Sequence, residues 1–210
     1  MKRLLAFLLC VSAASGLRAA EGPAVPEEGS DARGEEVGLP LFRHWGPKEH
    51  GGGVQSWAVV QDERGVLYVA NNDGVLEFDG VRWRLIQTVR KTIVRSLAVD
   101  GAGRVWVGGR GEIGYLAPGE GGRTVFVSLN DRFGDEGRDL SDVFGTFVTP
   151  EGIYFQTRER LLLLGKDGVR SWKPQDSFHR AFYARGRLFV RDLGSGLLEL
   201  REGRLEPIPG

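Results

Sequence analysis

Cysteine is all but absent. Cys10 is the single one among 210 residues, which excludes a disulfide framework and a thiolate metal site. Histidine is nearly as scarce: His44, His50 and His179 stand far apart, and the chain has no HEXXH, HXH or CXXC spacing. An excess of one charge sign is also missing, with 28 Lys+Arg against 28 Asp+Glu, so a broad nucleic-acid footprint is excluded. No apolar run reaches the roughly 20 residues that a membrane-spanning helix needs. Nor is there a segment of 10–12 residues with a 3.6-residue apolar period, which argues against helices. What is plentiful is glycine, 32 residues against 9 prolines. Lacking a collagen-like three-residue period, so much glycine implies many turns and many short strands. Hydrophobic residues make up 41%, enough to build a core.

The first residues have the layout of a secretory signal peptide, expected over 1–16. Met1-Lys2-Arg3 is positive, Leu4 to Val11 is apolar, and Ser12 to Gly16 is small. Lipid anchoring through Cys10 is the minor alternative, disfavoured by the Leu8-Leu9 pair before it. Loss of that leader removes Cys10, so the mature chain folds without oxidation and is held by packing alone. Residues 17–40 read as a flexible linker: Glu21 to Gly38 is rich in Gly, Pro and acid and has no apolar period.

From residue 41 to 210 the chain repeats itself. One unit runs Trp57 to Asp62, a Glu63-Arg64-Gly65 turn, Val66 to Ala70, Asn71 to Gly74, Val75 to Gly80 and Val81 to Leu85. A second starts at Val94, turns at Gly101-Ala102-Gly103 and continues through Arg104 to Gly108, Glu112 to Leu116 and Val125 to Val127. Two looser units follow, with turns at Pro150-Glu151-Gly152 and Arg185-Gly186. Each unit holds four Val-, Leu- and aromatic-rich runs between Gly-bearing turns, as strands joined by hairpins do. Four-stranded units at a period of roughly 40 residues are expected to be the blades of an all-β β-propeller. Blades are expected over about 41–90, 91–140, 141–175 and 176–210. Tyr68, Trp106, Tyr154 and Phe189 recur in the second run of each unit and are expected as wedges between blades. Asp62 and Asp100 recur at the head of a turn and are expected to stabilise it.

The segment V-R-S-L-A-V-D-x-x-G-R-V-W-V-G from Val94 to Gly108 resembles the two-component regulator propeller repeat. So do the first unit and the lead-in from Phe42 to Glu49. The resemblance covers about residues 41–208. It implies an exported, non-enzymatic sensor propeller of a bacterial signal-transduction protein, with a small molecule or oligosaccharide as ligand. Family members carry more blades, a membrane helix and an output domain, so four blades are expected to be an incomplete ring. Its unpaired edges would invite self-association.

Chemistry is hard to find in the residues. No catalytic constellation, cofactor motif or metal-ligand spacing is present. Gly108-Gly109-Arg110-Gly111 lies between strands and opens no helix, so it makes no phosphate cradle. The insertion around Asp131, Asp135, Glu136, Asp139 and Asp142 does not match a calcium loop and reads as a solvated acidic loop. The remaining argument is geometric. In a propeller the loops between strands two and three, and between strand four and the next blade, share one face. That face is expected to carry Asn71, Asn72, Asp73, Arg90, Lys91, Arg110, Glu112, Arg158, Glu159 and Asp192, polar groups on a rigid scaffold. The alternatives are an exported lyase or glycosidase, which needs two carboxylates about 5–10 Å apart, and a generic protein-interaction propeller.

Overall fold

The computed structural model describes residues 43–208. The expected signal peptide and linker lie outside the described residues. A four-residue helical turn, α1 (Pro47–His50), leads into sixteen strands. The first sheet is β1 (Ser56–Gln61), β2 (Leu67–Asn71), β3 (Gly74–Phe78) and β4 (Trp83–Ile86). The second is β5 (Val94–Val99), β6 (Val105–Gly109), β7 (Glu112–Pro118) and β8 (Thr124–Ser128). The third is β9 (Gly145–Thr149), β10 (Gly152–Gln156), β11 (Leu161–Gly165) and β12 (Gly168–Trp172). The fourth is β13 (Phe178–Ala184), β14 (Arg187–Asp192), β15 (Gly196–Arg201) and β16 (Arg204–Pro207). Each sheet is an antiparallel meander whose strands pair in chain order.

The sheets stack as neighbouring blades. Contacts join β1 to β5, β5 to β9 and β9 to β13, so the first strand of every blade lies innermost. Apolar residues close each interface. Tyr68, Ala70 and Val75 of blade one meet Val94, Leu97 and Val107 of blade two. Trp106 and Ile113 of blade two meet Ile153, Phe155 and Leu162 of blade three. Tyr154, Leu161 and Leu163 of blade three meet Phe178, Leu188 and Val190 of blade four. Four blades thus share three cores. Among the described residues no apolar cluster joins blade four to blade one, and the array is an all-β incomplete propeller.

Strand burial follows from this. β6 lies in mid-sheet with a blade on either side, and all five of its residues are buried; β1 alternates between half-buried and exposed. Tyr68, Trp106 and Tyr154 are the expected wedges, each turned toward the next blade. Phe189 takes the same orientation but meets no described blade. Leu188 and Val190 beside it enter the core with blade three, so strand alternation turns Phe189 the other way, toward a face that no described blade covers. Phe182 and Leu197 are exposed on blade four as well. Blade one is open on its opposite face, the one away from blade two, and the lead-in segment partly covers it: Trp45 packs on Phe78 at 5.3 Å and on the edge of Trp83 at 5.8 Å.

The recurring aspartates hold the hairpins. Asp100 Oδ1 accepts the backbone N–H groups of Ala102 and Arg104, and Oδ2 accepts Trp106 Nε1–H. Asp62 accepts Arg64 and Val66 backbone N–H groups and ion-pairs with Arg64. The D-x-x-G-x-V-W pattern is therefore one mechanical unit: the carboxylate closes the turn and orients the aromatic six residues on. Burial alone would raise both carboxyl pKa values, but the hydrogen bonds they accept outweigh it and hold both below the usual range.

Two outcomes follow from the packing and the turns. A Cβ on Gly108 would lie 2.5 Å from Ser96 Oγ and 2.5 Å from Val143 Cγ1, whereas one on Gly101 meets nothing within 4 Å. Gly108→Ala is expected to cost about 1–3 kcal/mol in urea unfolding, and Gly101→Ala far less. Because the folded pKa values of Asp62 and Asp100 are depressed, their stabilisation is complete above the ordinary carboxylate range. It is lost as pH falls through the lower folded values. Acid titration of the melting temperature should therefore be shallower in Asp100→Asn than in the parent.

Candidate functional site

In an antiparallel meander, the β2–β3, β6–β7, β10–β11 and β14–β15 turns and the connectors between blades lie at one end. The first strand of each blade enters from that end, and its entry is irregular. Register breaks between Ser56 and Ala58, between Val94 and Ser96, and between Phe178 and Ala181. The bulged residues are Trp57, Arg95 and the pair His179-Arg180. In blade three Phe144 stands just before β9, its N–H bonded to Gln156 O at 2.8 Å. A bulge re-aims its side chain out of the sheet, here toward the inner ends of the blades.

These residues form a run of alternating rings and cations. The Arg95 guanidinium lies 3.9 Å from the Trp57 ring centre and 5.6 Å from that of Phe144. The Arg158 guanidinium lies 5.6 Å from the same Phe144 ring. Trp57 is fixed by its Nε1–H, which donates to Asn72 Oδ1 at 2.9 Å. Asp142 joins the run by accepting Arg95 Nη2–H at 3.1 Å and Arg110 Nε–H at 3.0 Å. Burial works to raise the Asp142 carboxyl pKa, but the bonds from Arg110 and Arg95 outweigh it and hold it low. The carboxylate stays ionised while serving two cations.

The ten residues expected on this face divide in two. Asn72, Asp73, Arg90, Lys91, Arg110, Arg158 and Glu159 lie at its turns and connectors and are exposed or half-buried. Asn71, Glu112 and Asp192 correct the expectation, for they are buried and their bonding capacity is spent on the chain itself. Asn71 bonds both backbone groups of Gly53 at 2.8 Å and Gln55 O at 3.0 Å. Glu112 accepts Arg90 N–H at 3.1 Å. Asp192 accepts Gln175 and Asp176 N–H groups at 2.6 and 3.2 Å, besides Gly194 and Ser195. Each residue clasps the connector that brings the chain into its blade and pairs its N–H groups there.

The acidic insertion also differs from a simple solvated loop. Residues Asn130–Phe133 and α2 (Gly134–Arg138) form two helical turns. Phe133 is buried between blades two and three, Glu136 pairs with Arg160 at 2.8 Å, and Asp142 serves Arg95 and Arg110. Among the described residues no group of three His, Cys, Asp or Glu side chains is placed to hold a metal ion. A groove of about 560 Å³ lies at the other end of blades one and two, beside Asp62, Arg64, Tyr68, Arg104 and Tyr115. Of its two carboxylates, Asp62 and Glu63, the first is committed to the hairpin.

Trp57, Arg95, Phe144 and Asp142 are absent from the expected set. A signal was present: a bulky or charged residue precedes a small one at the head of each first strand, as in Trp57-Ala58, Arg95-Ser96 and Phe144-Gly145. Its meaning depends on the bulge, which the alternation of a regular strand hides.

No family model matches the chain, and no curated protein is similar to it. Solved structures are. The extracellular domain of the hybrid two-component system BT3049 from B. thetaiotaomicron superposes with a TM-score of 0.63 at 16% identity, over 80% of this chain and 26% of that one. The extracellular domain of BT4673 from the same organism gives 0.57 at 14% identity, over 73% of this chain and 21% of the other. A catalytically inactive virginiamycin B lyase from Staphylococcus aureus, solved with quinupristin, gives 0.56 at 11% identity, over 75% and 57%. The chain shares their propeller fold. It spans 21% and 26% of the length of the BT4673 and BT3049 domains. Among the described residues no helix is long and apolar enough to cross a membrane.

The division between clasps and open groups is measurable. Asn71→Ala removes two hydrogen bonds to the half-buried backbone of Gly53 and one to Gln55 O and should cost about 1–3 kcal/mol in urea unfolding. Asp73→Ala, two residues away and exposed, should fall within about 0.5 kcal/mol of the parent.

Proposed function

We propose that the chain is an exported, non-enzymatic ligand-binding propeller belonging to a bacterial signal-transduction protein of the two-component regulator type. The observation that carries the binding reading is the run Trp57–Arg95–Phe144–Arg158 at the loop end of the inner strands. Rings and fixed donors held on bulged, hydrogen-bonded backbone can meet a polar ligand without rearranging. Aromatic faces with convergent polar groups suit a saccharide, which offers both C–H faces and hydroxyls. Export is supported by the N-terminal layout of residues 1–16, and the signalling context by the repeat pattern from Val94 to Gly108. In such a receptor the output would be delivered by parts beyond these blades.

A non-enzymatic role is favoured over a lyase or glycosidase by what the carboxylates do. Asp62, Asp100 and Asp192 hold backbone N–H groups, Glu199 is held by Arg187 and Arg201 with its pKa lowered to about 2, and Asp142 is shared by two arginines. None of these is an acid poised to give up a proton near neutral pH.

Saccharide binding is tested by calorimetry of the chain against a panel of neutral and acidic oligosaccharides. Saturable binding is expected, weakened at least about tenfold in Trp57→Ala, the loss of one stacking ring. A panel on which no member binds would refute the binding reading. Turnover of any panel member that disappears in Asp62→Asn or Asp100→Asn, with folding intact, would replace it with an enzymatic one.

A further inference from the structure

We infer that the mouth formed by Trp57, Arg95, Phe144 and Arg158 recognises an anionic group on its ligand, a carboxylate or sulfate ester, with Arg95 as the anchoring cation. This rests on the binding reading above and deepens it.

The charge arrangement points that way. Arg95 and Arg110 share the one carboxylate of Asp142, so the trio carries one positive charge in excess. Arg95 is largely withdrawn from water, with 12% of its side chain accessible. A guanidinium has five N–H donors; this one meets Asp142 through Nη2, and its Nε is buried with no acceptor. A desolvated cation with unused donors is costly unless an acceptor completes its shell. The Trp57 and Phe144 rings return part of that cost by cation–π attraction, but rings accept no conventional hydrogen bond from the guanidinium edge. A planar oxyanion entering the mouth would meet the remaining Nη donors of Arg95 and compensate its charge, and arginine is the side chain whose fork fits one.

One open cation stands beside the mouth. Arg158 is exposed, lies 5.6 Å from the Phe144 ring and forms no ion pair among the described residues. The Glu159 carboxylate is hydrogen-bonded to Ser141 Oγ, and Asp142 is already taken. Farther out, the turns and connectors at this end carry both signs, with Arg90 and Lys91 exposed and Asp73, Asp131, Asp139 and Asp176 exposed as well. The local surplus is thus that of Arg158 and of the Arg95–Asp142–Arg110 trio, which draws an anionic ligand toward the mouth. A neutral sugar could use the two rings and accept from Arg95 through a hydroxyl, but would leave the surplus positive charge of the trio uncompensated.

The chain is titrated by calorimetry with trigalacturonate and its methyl ester, and with a sulfated galactan oligosaccharide and its desulfated form. The charged member of at least one pair should bind about tenfold to a hundredfold more tightly than its neutral partner, as expected for a charge-assisted hydrogen bond. Which pair shows the difference identifies the carboxylate or the sulfate. Added salt should weaken the charged member and leave the neutral one unchanged. Arg95→Gln should bring the charged ligand down to the neutral level, and Arg95→Lys should keep part of the preference. Arg185→Gln, in the β13–β14 turn at the opposite end, should change nothing. Should Arg95→Gln fail to fold by its melting curve, Arg158→Gln and the salt series carry the test, each expected to reduce the preference. Equal affinity for charged and neutral partners, lost in Trp57→Ala and indifferent to salt, would overturn the anion inference and leave the binding reading standing. Absence of binding by all four probes would also overturn it; the binding reading falls with it only if the broader panel is blank as well.

Discussion

Sheet must cover sheet, and everything else in this molecule follows from that requirement. A four-stranded meander standing alone leaves both of its faces open to water, so each blade depends on its neighbour for its stability. The interface is apolar and close: Val107 and Tyr68 in one core, Phe155 and Trp106 in the next, Tyr154 and Phe178 in the third. Near the axis the inner strands approach until glycine and small hydroxyl residues are needed. Gly108 leaves room for Ser96 Oγ, which bonds both Val143 O and Thr146 Oγ1 of the next blade at 2.9 and 2.8 Å. Packing therefore decides both where large residues go and where they are forbidden.

Close stacking creates a second problem, the backbone that passes from one blade to the next. The connector has to be held where it turns into the blade, and its N–H and C=O groups find partners there. Asn71, Glu112 and Asp192 supply them with buried side chains at the ends of strands. Strand ends at this end of the blade thus carry polar residues for purely internal reasons. Binding groups are then left to residues that project past the clasps: the bulged Trp57 and Arg95, the pre-strand Phe144, and the turn residues Arg110 and Arg158. A bulge frees a side chain from the alternation of its strand, and repetition brings the freed side chains together at one end.

The charge pattern divides along the same line. Carboxylates are used chiefly as braces, in the hairpins through Asp62 and Asp100 and across blades two and three through Glu136 and Asp142. Each is matched by backbone N–H groups or by arginine. Arginine is used both as a brace and as an open group, the latter at the mouth in Arg158, beside the Phe144 ring.

Composition and spacing alone determined that the chain is all-β, that its units are four short strands long, and that glycine marks its turns. Local rules suffice for that, because strand propensity, two-residue turns and a repeat period are properties of neighbouring residues. Asp62 and Asp100 were legible as turn residues for the same reason. The character of Asn71, Glu112 and Asp192 was not, since a polar residue at a strand end looks the same in the sequence whether it faces water or a connector. The role of Trp57, Arg95 and Phe144 was hidden as well. They lie 38 and 49 residues apart along the chain, and only the stacking of blades brings ring, cation and ring within contact. Tertiary structure decided the site because a binding mouth is a juxtaposition of distant residues, and the bulges that aim them depend on how each first strand meets its partner and its neighbouring blade.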